Sequence, residues 1–132
     1  MNRGEVLVDL TKAVAAHMRW KMRLYQCIHG QAELPRVAEV ARDDACELGQ
    51  WLISKGMVYK DFESFSGAKG AHAAFHLCAA EVVSAVERGE KSAAEGMLQS
   101  GSAFALASEA VSLALTKLRA EVARAGKRSV GL

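Results

Sequence analysis

The chain is poor in the residues that punctuate or staple small folds. It has one proline, 6% aromatic residues and three cysteines in 132 residues. An odd number of cysteines suits reduced thiols in a reducing compartment better than a disulfide framework. No apolar run approaches the roughly 20 residues needed to cross a bilayer. The opening Met1-Asn2-Arg3-Gly4-Glu5 lacks the basic region, apolar stretch and cleavage site of a secretory signal. A cytoplasmic protein with no membrane partner is therefore expected. Charge of one sign is also scarce. Seventeen bases against fifteen acids leave a formal net charge of +2, interspersed except for the basic Lys127-Arg128 end. Nucleic-acid binding needs a concentrated basic face, so no such partner is expected.

What is present is apolar residue at helical period. About half the chain is apolar (51%), which suits one globular domain over 1–132 and argues against disorder. A first helix is predicted from Glu5 to Ile28, with Leu10, Val14, His17, Lys21, Leu24 and Ile28 on one line and Gly30 just past its end. A second is predicted from Pro35 to about Ser54 or Lys55, with Ala41, Ala45, Leu48 and Leu52 in line and Cys46, Gly49 and Ile53 on the adjacent flank. A third runs from Ala68 to Arg88 through His72, Phe75, Ala79, Val82 and Val86, and Gly89 ends it. Ser92-Ala93-Ala94-Glu95 has the spacing of a capping box. A fourth helix then continues to about Ala125, on a stripe that includes Ala94, Gly101, Phe104, Val111, Leu115, Leu118 and Val122. The fold expected is all-α, an antiparallel four-helix bundle, with room for an extra short helix in the 57–67 connection.

The polar residues on these apolar lines are the informative ones. His72 and His76 are four apart, on one face of one helix. Taken alone, such a pair fits two partly buried histidines bonded to backbone or water better than a metal site. His17 on the inner line of the first helix and Cys46 beside that of the second add two more soft or imidazole donors. Three neutral histidines and a thiolate would make a closed zinc shell. Its net positive charge would favour a carboxylate behind it, for which Asp43 and Asp44 are candidates, although both read equally well as exposed helix acids. Gly49, one turn beyond Cys46, is expected to let another helix approach the sulfur. Trp20 and Trp51 are expected in the core or the wall of the site. Cys27 and Cys78 read as small hydrophobes, and His29 as a helix-end cap or charge.

Three segments carry a resemblance. His17-Met18-Arg19-Trp20, Cys46-Glu47-Leu48-Gly49-Gln50-Trp51 and His72-Ala73-Ala74-Phe75-His76, in that order, resemble the chemoreceptor zinc-binding (CZB) domain. The pattern is His then Trp, Cys-x-x-Gly-x-Trp and His-x-x-x-His. Val82-Val83 and the stretch from Arg88-Gly89-Glu90 to Met97-Leu98 extend it. The resemblance implies Zn²⁺ held by His17, Cys46, His72 and His76, with Cys46 as an oxidant-sensitive ligand. It further implies a sensory module that forms homodimers and serves a chemoreceptor or a diguanylate cyclase. The chain holds neither a methyl-accepting coiled coil nor a cyclase domain, so a free-standing member or one separated from its output is expected.

Four protein ligands leave no open position for an activated water, so an enzyme is not expected. The remaining readings are a zinc that only stabilises the fold, or a metal-free helical interaction module.

Overall fold

The computed structural model describes residues 3–130, all helix and connecting turns, with no strand among the described residues. Its elements are α1 (Arg3–Met18), α2 (Trp20–Ile28), α3 (Val37–Val40), α4 (Glu47–Ile53), a 3-10 segment (Lys55–Tyr59), α5 (Glu63–Glu87), α6 (Lys91–Met97) and α7 (Ala103–Val130). Each predicted helix has a counterpart, but three of the four are interrupted.

The first is interrupted by a single turn residue at Arg19. The Arg19 N–H still donates to the Ala16 carbonyl and the Arg23 N–H to that of Arg19. The facing does change. Leu10, Ala13, His17, Leu24, Cys27 and Ile28 are buried, Trp20 is half-buried, and Lys21 is exposed. Trp20, not Lys21, thus takes the inward place below His17.

The second predicted helix is two short ones. Aspartate competes with helical hydrogen bonding and favours turns and caps, and Asp43-Asp44 falls where residues 41–46 leave the helix. Cys46 is in extended conformation (φ −87°, ψ 166°) as the N-cap of α4, with Glu47 in the first turn. The 3-10 segment opens the next connection, and α5 begins at Glu63, earlier than its apolar line implied.

The fourth predicted helix breaks between Met97 and Ala103. Gly101 has φ +82°, a conformation a side chain disfavours. Ser102 Oγ then accepts the Ala105 N–H at 3.1 Å and caps α7. The predicted capping box does not form, because Glu90 occupies the N-cap of α6. Glu95 instead lies 3.7 Å from His29, the C-cap residue of α2. Gly30 and Gly89, expected past helix ends, have φ +70° and +75°.

α5 is the central element. It packs along α7 and also meets α2, α3 and α6, while α1 packs on α4 and α7. Phe75 and Phe104 join α5 to α7 with ring centroids 5.0 Å apart. The core around them is built from Leu10, Leu24, Leu48, Val82, Val83, Val111, Leu115 and Leu118, with alanines where helices approach closely. Three histidines lie inside this apolar core.

Candidate metal centre

His17, His72 and His76 are 2%, 1% and 1% exposed, in a protein whose other buried side chains are almost all apolar. α1 supplies the first. One face of α5 supplies the other two, whose Nε2 atoms are 3.0 Å apart. One ligand atom from each of the three histidines lies within 4.8 Å of the others. Cys46 Sγ approaches from the N-terminus of α4, 3.2 Å from His72 Nε2 and 3.5 Å from His76 Nε2. A zinc tetrahedron with bonds of about 2.0–2.1 Å to nitrogen and 2.3 Å to sulfur has edges of about 3.3–3.6 Å. The three separations lie within about 0.4 Å of those edges.

The surroundings prepare these atoms for a cation. His76 Nδ1 donates to the Val40 carbonyl at 2.9 Å, which places the proton on Nδ1 and leaves the Nε2 lone pair toward Cys46. Both ring nitrogens of His17 are buried without a hydrogen-bond partner. Leaving such groups unmet costs about 1–3 kcal/mol, and a metal ion is the partner that the neighbouring imidazoles and thiol have in common. Burial, joined by repulsion from His72 and His76, lowers the His17 pKa to about 3. Burial and His76 lower that of His72 to about 4. Burial lowers His76 as well, opposed by its Val40 bond and the charge of Asp43. All three imidazoles are therefore neutral at pH 7. Burial pushes the Cys46 thiol up, while N–H groups at the start of α4 pull the other way, among them Gly49 N–H at 3.3 Å from Sγ. The donor set fits zinc on these grounds.

The remaining candidates occupy distinct places. Trp20 meets His76 edge-on, with centroids 5.7 Å apart, and Arg23 lies 4.7 Å over the Trp20 ring. Trp51 is core, 4% exposed. Asp43 is half-buried and shares a cavity of about 80 Å³ with His72, Gly49 and Lys69. The Asp44 carboxylate is engaged by Arg42 at 2.9 Å. Gly49 is needed for close approach, but by the chain's own loop. A Cβ there would run into the Asp43 carbonyl and come within 3.0 Å of Asp44 Cα. Cys27 is buried and donates to the Glu33 carbonyl at 3.5 Å. Two contacts escaped the sequence reading. Phe75 packs on the His17 ring at 4.3 Å and was legible only as core. The Val40 carbonyl is backbone and has no side-chain signal at all.

An all-helical fold closing on three buried histidines with a half-buried cysteine beside them defines a zinc-binding helical domain. The chain matches the chemoreceptor zinc-binding domain over residues 17–83, about half its length, from His17 past His76. It belongs to that family, and zinc is its cofactor. No curated protein and no solved structure matched it. The family is a regulatory, sensory one found in chemoreceptors and other signalling proteins, not a catalytic family. No helix among the described residues is long and apolar enough to cross a membrane.

Proposed function

We propose that His17, Cys46, His72 and His76 hold one zinc ion in a closed shell, and that the module signals zinc level or an oxidant to a partner protein. The observation that carries this reading is the convergence of Cys46 Sγ, His72 Nε2 and His76 Nε2 within 3.5 Å of one another. When bound, zinc keeps the Cys46 thiolate ionised at neutral pH. Each residue then has a separate task. His72 and His76 are fixed on a long helix and form the rigid half of the site. His17 brings α1 to it. Cys46 is the other half, at the start of a short helix after an irregular loop. Oxidation of its thiolate to sulfenic acid would weaken its hold and release the 41–46 loop and the Cys46 end of α4 from His72 and His76.

A cytoplasmic module serving bacterial chemotaxis or cyclic-di-GMP signalling is the setting this reading favours, with a chemoreceptor or diguanylate cyclase as partner. α1 with α2, α3 with α4, α5, and α6 with α7 would form the four arms of an antiparallel bundle, paired with a second copy as a homodimer. Four protein ligands argue for signalling and against catalysis.

The test is the zinc content of the purified protein, with and without peroxide. One zinc per chain, lost on oxidation in the natural chain, is expected. Cys46→Ala should bind zinc far more weakly and lose the oxidant response. Unchanged affinity in that variant would refute the ligand assignment. Complete unfolding on chelation would favour a purely structural zinc.

A further inference from the structure

The four proposed ligands are not equally enclosed. A cleft of about 320 Å³ opens between α1/α2 and the 35–47 segment and reaches His17, Cys46 and His76. That is the lower end of the size range of small-molecule sites. His72 does not line it. Behind His72 lies the separate cavity of about 80 Å³ beside Asp43 and Lys69, room for two or three waters at ~30 Å³ each. The centre is thus reached from two sides, by the wider cleft at Cys46 and by the smaller cavity at His72.

The rim carries Arg23, Glu39, Glu47 and Arg42, the last already paired with Asp44. A mixed rim repels neither anions nor cations as a class and suits a small zwitterion. Ala45, exposed and without reach, stands beside Cys46 at the opening.

We propose that this cleft is the exchange portal of the centre. A small zwitterionic carrier with soft donors, of the amino-acid thiol type, enters it and takes or delivers zinc directly, while the bundle stays folded. The incoming donor would take the place of Cys46 Sγ, which leaves as a thiolate and is protonated, and further donors of the carrier would then replace His17, His76 and His72. Loading runs the same exchange backwards. This rests on the ligand assignment above, since a carrier in the cleft must meet Cys46 on the metal.

The experiment follows zinc leaving the intact, zinc-loaded protein into the chromophoric chelator 4-(2-pyridylazo)resorcinol, used as the small entering ligand. The initial rate is expected to rise in proportion to chelator concentration. Ala45→Trp should slow it about tenfold, a barrier increase of ~1.4 kcal/mol, with zinc stoichiometry unchanged. Lys69→Trp, beside the rear cavity, should leave it unchanged. The same chelator coupled to a large dextran should extract zinc only at a low, concentration-independent rate. A rate independent of free chelator concentration in the natural protein would mean that release waits for opening of the fold, and would overturn the portal whatever the variants do. Equal slowing by Ala45→Trp and Lys69→Trp would also overturn it. A natural protein that holds no zinc would instead refute the site itself, and the portal with it.

Discussion

The Gly49 N–H donates to Cys46 Sγ at 3.3 Å, and Gly49 itself has no room for a side chain because the Asp43 carbonyl lies against it. One residue both orients the sulfur and admits the loop that delivers it. Glycine within a helix ordinarily costs about 1 kcal/mol against alanine, and here the trade reverses. Gly49→Ala is expected to destabilise the protein by about 1–3 kcal/mol, the range for overpacking. It should also weaken zinc binding, because the clash displaces the 41–46 loop. Thermal melting and zinc titration measure the two effects. A more stable variant with unchanged zinc affinity would contradict the geometry.

The dependence of zinc affinity on pH follows from which ligands carry protons. His17 and His72 titrate near 3 and 4, and His76 is lowered too, so all three are neutral through the neutral range. Cys46 is pushed above an ordinary thiol and must lose its proton to bind. Apparent affinity should therefore rise about tenfold per pH unit between pH 6 and 8, the dependence of a single released proton. A steeper slope in a competition titration would show that the histidines hold protons as well.

The metal-free protein should be acid-sensitive. The sign is fixed by the direction of the histidine shifts. Their folded values lie below the ordinary value of 6.5, so the unfolded chain binds more protons as pH falls. Stability is then complete above about pH 6.5 and lost progressively toward the folded values near 3 and 4. At pH 5 the loss is on the order of 2 kcal/mol for each of His17 and His72. Urea unfolding of chelated protein at pH 7 and pH 5 measures it.

His17→Leu separates stability from metal binding. It removes two buried nitrogens that lack partners and leaves an apolar side chain against Phe75. Without metal, the variant should be about 1–3 kcal/mol more stable than the natural chain. Its zinc affinity should fall by more than the ~100-fold reached by changes outside the ligands themselves. Melting curves with and without zinc should therefore shift in opposite directions.

Sequence alone established that the protein is helical, because apolar residues at a three-four spacing have one economical way to be buried. It also marked His17, Cys46, His72 and His76, because polar side chains on apolar lines are anomalies, and their motif spacing pointed to the family. It did not reveal where those lines break. The turn at Arg19, the loop before Cys46 and the left-handed Gly101 reflect side-chain and backbone competition that periodicity does not register. Only the tertiary structure turned Cys46 from a residue on a helix flank into the cap of α4, because its thiol finds the Gly49 N–H there. Only it brought the Val40 carbonyl to His76 Nδ1, a backbone contact across 36 residues that no side-chain pattern encodes. The donor types are written along the chain. Their convergence and the choice of free nitrogen belong to the way His17 of α1, Val40 of α3 and Cys46 at the start of α4 meet α5.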